Sequence, residues 1–215
     1  MTLRWTIVQR SVIGGGAHLL LKLVAGLVRL VPIACSYGPD DVDTGSAMSV
    51  LDGIRSNAEA AHGSFDEAKT LVKQASDEAS ELEQSAAGHG WAGVAQAMSS
   101  AQETLEEAAG VIDGAMTATS EGISQLSEIT EEMSSDEVAR RLTEIGQRFE
   151  TARTAATQAF ESLEDARTSA QQADAEALAQ LVDSAEENLT TGRETLASAV
   201  TDTESEQSEA IAWGN

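Results

Sequence analysis

From Leu51 almost to the C-terminus, small and apolar residues recur in steps of three and four, and no proline follows Pro39. The first run is Leu51, Ile54, Ala58, Ala61, Phe65, Ala68, Val72, Ala75, Ala79, Leu82 and Ala86. This spacing lays every member on one helical stripe, the a and d positions of a heptad. It predicts a helix from about Met48 to Ala87, broken by Gly88-His89-Gly90. The beat resumes at Val94 and Met98 and runs through Leu105, Ile112 and Leu126 to Met133, a second helix. Ser134-Ser135-Asp136-Glu137 reads as a capping box, a serine to accept a free backbone N–H and a glutamate three residues on to reach back. A third stripe follows through Val138, Leu142, Ile145, Phe149, Leu163 and Ala173, and a fourth through Leu178, Val182, Leu189, Leu196 and Thr203. Asp174 is the expected N-cap of the fourth helix, with Glu176 favourable to the dipole in its first turn.

Each predicted helix is about 40 residues, roughly 60 Å long, and short connections make neighbours antiparallel. The expected fold is all-α: a first helical hairpin over 48–133 and a second over 134–215 with its C-terminal tail. Leu71, Val111, Met116, Ile123, Phe160, Leu181 and Val200 lie beside the stripes and widen the apolar face. A helix that touches two neighbours needs such width, which favours an elongated four-helix bundle over two separate coiled coils. If the hairpins stay apart, those side chains await a partner. Seven glycines fall inside predicted helices, at about 0.8–1 kcal/mol each relative to alanine. Gly122 and Gly192 lie on the seam, where close helix approach accounts for them.

Charge divides the chain. Residues 1–47 carry a net +1, whereas 48–215 carry 9 basic and 33 acidic residues, a net −24. Such a surface repels phosphate backbones and anionic lipid, which excludes nucleic acid as a partner class. Seven of those nine cations are arginine, a bias expected of a GC-rich genome or a salt-adapted organism.

Residues 1–39 hold no acid, and His18–Val31 is apolar but interrupted by Lys22 and Arg29. A charge at mid-membrane costs about 2.5–3.5 kcal/mol, which argues against a spanning helix. Three readings compete for this stretch. It is a non-native extension, since Met48-Ser-Val-Leu-Asp opens the periodic region like a natural start; an export signal, with Ile33-Ala34-Cys35 resembling a lipoprotein cleavage box; or a membrane-surface helix. Membrane contact, if any, falls to residues 1–35.

Chemistry-bearing motifs are few. Gly88-His89-Gly90-Trp91-Ala92-Gly93 matches G-x-G-x-x-G, but the fingerprint has mechanical meaning only after a β-strand, and an alanine-rich helix precedes it here. His62 and His89 are far apart, no Glu-x-x-His occurs, and adjacent acidic pairs such as Glu106-Glu107 diverge around a helix. The lone Cys35 allows no internal disulfide, and no nucleophile has a base beside it in a recognisable pattern. The expectation is no enzyme, no metal and no cofactor.

Two resemblances bear on function. Trp91-Ala92-Gly93, a Trp-x-Gly turn between two helices, resembles the WXG family of helical-hairpin substrates of type VII secretion. That family usually carries Tyr-x-x-x-Asp/Glu after its second helix, and this chain has only Tyr37. Gly90-Trp-Ala-Gly-Val-Ala-Gln-Ala-Met98, the Ser134-Ser-Asp-Glu-Val138 restart and the long Ala/Gln/Glu helices are similar to an uncharacterised alanine-rich helical family of actinomycetes, which implies no activity. The resulting expectation is a non-enzymatic, acidic coiled-coil interaction or scaffold protein of the cytoplasm that binds itself or another helical protein. A WXG-like secretion substrate or secreted effector is the alternative. Trp91, Val94, Met98, Val111, Met116, Ile123 and Phe160 are the candidate partner-binding residues.

Overall fold

A computed structural model describes residues 44–130 and 132–213; side chains are described from Met48 to Ala212, Glu131 excepted. The candidate leader, Cys35 and Tyr37 lie outside the described residues. Four helices follow one another: α1 (Thr44–His89), α2 (Ala92–Leu126), α3 (Ser135–Gln172) and α4 (Glu176–Trp213). No strand occurs among the described residues. Each helix packs on its two sequence neighbours, and α4 returns to pack on α1, so the helices form a closed, square, up-down-up-down bundle. The two hairpins do pack together, and the widened apolar faces serve the second neighbour: Leu71, Val111, Met116, Ile123 and Leu181 are half-buried against the core.

The stripes predicted from spacing are the core. Ile54, Phe65, Leu105, Ile112, Phe149, Leu163, Leu189 and Leu196 are fully buried, interleaved with buried alanines at each seam. Alanine lets axes approach toward the 8 Å end of the packing range. Gly122 and Gly192 serve the two largest core side chains. A Cβ on Gly122 would overlap the Phe149 ring, and one on Gly192 would come within 2.5 Å of the Phe65 ring. Both contacts join different hairpins, α2 to α3 and α4 to α1. The remaining helical glycines are not needed by packing; Gly53, Gly63, Gly110 and Gly114 would meet nothing within 4 Å.

The hairpins repeat one another at a constant separation of 84 residues. Phe65 matches Phe149, Ala86 matches Ala170, Leu105 matches Leu189, Ala115 matches Ala199, and Thr119 matches Thr203. Both threonines are buried and donate Oγ1–H to the carbonyl four residues back, Thr119 to Ala115 at 2.8 Å and Thr203 to Ala199 at 2.6 Å. That hydrogen bond satisfies the hydroxyl without a cross-helix partner.

Three boundaries differ from expectation. Helix α1 opens at Thr44, before Met48. Helix α2 ends at Leu126 rather than near Met133. Ser127 N–H is shared between the Ile123 and Ser124 carbonyls, its Oγ also binds Ile123 O, and Ile129 turns inward beneath the bundle end. Those residues give the chain the slack to cross to α3. Asp174 is not an N-cap. It sits at φ 54°, two residues past the end of α3 and just after its C-cap Ala173, and Ala175 holds the capping position of α4. The serine half of the predicted box is present at α3: Ser134 Oγ accepts the Glu137 N–H at 3.3 Å.

Candidate functional site

Both intra-hairpin turns lie at one end of the bundle and share one geometry. At the first, Trp91 N–H reaches Ala86 O at 2.9 Å and Gly90 N–H reaches Ala87 O at 3.2 Å, around Gly90 at φ 75°. At the second, Ala175 N–H reaches Ala170 O at 2.9 Å and Asp174 N–H reaches Gln171 O at 3.2 Å. This pair of bonds is the Schellman motif, which uses the last helical carbonyls and needs a left-handed residue at its apex. The glycines that match a dinucleotide fingerprint therefore terminate a helix, with a helix and not a strand before them.

The motif fixes Trp91 at the N-cap of α2. Its carbonyl accepts the Ala95 N–H at 3.0 Å, but its side chain caps nothing, and the first turn of α2 carries no acid. Helix starts favour Ser, Thr, Asp or Asn at this position, because their side-chain oxygens satisfy free N–H groups. The Trp91 ring is 59% exposed and stacks on His89, centroids 5.1 Å apart and planes 28° from parallel. His89 Nδ1 lies 2.8 Å from the Ser85 carbonyl, so Nδ1 carries the proton and the imidazole is held as a shelf beneath the indole. The repeat-equivalent position in the second hairpin is Ala175.

Of the other candidate residues, Met98 is fully buried in the core, and Val94, Val111, Met116 and Ile123 are half-buried against it. Phe160 is half-buried on α3. The structure does not gather these side chains into one surface with Trp91. The second turn adds a hollow of about 360 Å³ lined by Gln171, Asp174, Ala175, Glu176 and Ala179, which spacing alone did not reveal.

Ion pairs run along the helix flanks. Lys69 pairs with Asp113 at 2.5 Å and Arg148 with Glu121 at 2.9 Å, both largely exposed and worth little. Arg141 ties the α2–α3 connection to α3 through Glu128 at 2.6 Å, and that hydrogen bond raises its pKa. Arg167 binds Asp183 at 2.8 Å and also Glu186, whose carboxylate is buried between α3 and α4 with Oε1 unpaired. Among the described residues, no group of three His, Cys, Asp or Glu side chains could hold a metal ion, and no helix is long and apolar enough to cross a membrane. No family model, curated protein or solved structure matches the chain.

Proposed function

We propose that this protein is a non-enzymatic interaction module of the cytoplasm, a rigid helical bundle that presents Trp91 to another protein. One observation carries the reading: Trp91 occupies a position where stability asks for a small capping residue, and its ring joins neither the core nor a cap. Local rules broken without gain to the fold mark functional positions. Tryptophan is among the residues most enriched at binding anchors. The long apolar stripes are already buried against one another, so they are not the docking surface of the closed bundle.

The test places a photoreactive side chain at Ala92, beside the ring and exposed, in the full-length chain expressed in its natural host. A discrete crosslinked protein is expected, and Trp91→Ser should abolish it. Serine caps the helix, so the thermal midpoint should stay equal or rise by the equivalent of about 1 kcal/mol. Crosslinking that persists in Trp91→Ser, or none from position 92, would refute the assignment.

A further inference from the structure

The charge around the turn end narrows what can dock there. The sequence has no Lys or Arg between Lys73 and Arg140, and only Arg167 between Arg153 and Arg193. These two stretches contain both turns and about four helical turns or more on either side of each. Arg167 is engaged by Asp183 and Glu186. Glu81, Glu83, Glu164, Asp165, Asp174 and Glu176 lie within about two helical turns of the end face, exposed or half-exposed, and no ion pair is formed by any of them. The end face therefore carries an unneutralised negative potential around one exposed indole.

Both turns lie at the same end of the bundle, one opening α2 and the other opening α4, the diagonal helices of the square. One offers the Trp91–His89 shelf. The other offers the hollow lined by Gln171, Asp174, Ala175, Glu176 and Ala179, two of them acids. An apolar plate and a small hollow lined by acids at one end of the bundle suit a segment several helical turns long that carries both apolar side chains and lysine or arginine, with a cation also able to lie on the indole face. The acidic bundle of a second copy would bring the same negative end and be repelled, and anionic lipid and nucleic acid are repelled likewise.

We infer that the partner of the Trp91 end is a cationic amphipathic segment of another protein, seated across both turns with its basic residues against the acidic side chains there. The inference rests on the Trp91 interface proposed above and adds its chemistry. Potential of one sign steers association and makes it depend on salt.

The experiment uses the full chain with Trp5 and Trp213 replaced by phenylalanine, so that Trp91 alone reports. The probe is an amphipathic peptide of about five helical turns made of leucine and lysine. Two controls have glutamate in place of lysine, or serine in place of leucine. The Leu/Lys peptide should shift Trp91 emission to the blue and saturate, with affinity falling at least about tenfold between about 0.05 M and 0.5 M salt. The Leu/Glu peptide should leave the emission unchanged. In the triple variant Glu81→Gln, Asp174→Asn, Glu176→Gln, affinity for the Leu/Lys peptide should drop and its salt dependence flatten.

Equal response to the Leu/Glu peptide would overturn the cationic assignment while leaving an apolar Trp91 interface standing. Binding of the Lys/Ser peptide as tight as that of Leu/Lys would show only diffuse attraction to an acidic surface, and would also overturn it. A concentration-dependent blue shift without peptide would give the face to a second copy instead. No shift with any peptide, while crosslinking from position 92 persists in the host, would again remove the cationic chemistry and keep the interface.

Discussion

Phe65 and Phe149 show how single residues set this bundle's geometry. Each ring lies over a glycine of the helix opposite, and that glycine belongs to the other hairpin. Gly122→Ala and Gly192→Ala should therefore each destabilise by about 1–3 kcal/mol by overpacking, although alanine is the better helix former. Gly110→Ala and Gly114→Ala, where a Cβ meets nothing, should stabilise by up to about 1 kcal/mol each. Urea midpoints of the four variants check the contrast, and a shared direction of change would contradict the packing argument. The two seam glycines were legible in the sequence because they fall on the a/d stripe. That aromatic rings fill their notches was not, since spacing along one helix says nothing of which side chain faces it across the seam. Trp91 was legible as a turn residue. Its place at an uncapped N-cap depends on where the Schellman bonds end α1, a matter of one residue that periodicity does not resolve.

Helices and turns obeyed the pattern wherever a stripe ran long, and departed from it at the joints. The beat carries on to Met133, yet α2 stops at Leu126. Ile129, read as stripe, is buried outside the helix, closing the bundle end. Periodicity cannot separate those two ways of burying an isoleucine. Asp174 misled for a related reason: aspartate favours N-caps but also tolerates the left-handed region, and the Schellman bonds of α3 claim it first. The two turns share their bonds but differ at the apex, glycine in one and aspartate in the other. Asp174→Gly should raise the thermal midpoint by the equivalent of about 0.5–1 kcal/mol, because it removes a strained φ of 54°. Gly90→Ala should lower it by a similar amount. Calorimetry of both variants tests the pair, and a loss of stability in Asp174→Gly would mean that its carboxylate does something the backbone geometry does not reveal.

At the scale of the whole molecule, the formal charge of −23 opposes compaction. On α4, burial raises the pKa of Glu206, and the neighbouring Glu209 and Asp202 carboxylates push it the same way. A raised acid pKa means that the folded state binds the proton more tightly than the unfolded chain. Its contribution is therefore favourable below the unfolded value, and lost as pH rises through the folded one. Thermal stability should increase as pH falls from 7 toward 5, and added salt at pH 7 should have the same sign. Glu206→Gln should stabilise at pH 7 and lose its advantage at low pH. A thermal midpoint that falls on mild acidification would contradict this. The closed arrangement of four helices was legible from the width of the apolar faces. The internal repeat lies mostly in alanines and was hidden until Phe65, Thr119 and their counterparts took equivalent places. The packing of α4 on α1 has one more consequence. Thr44 and Trp213 end adjacent antiparallel helices, so both chain ends of the bundle leave from the same face as the Ser127–Ser134 connection. A 44–213 chain that begins at Ser134, with a short Gly/Ser bridge from 213 to 44, exchanges one repeat for the other. It should reach the same bundle with similar stability and at a similar rate, because the α4–α1 seam then closes across a short loop while the α2–α3 seam takes over the span of the whole chain.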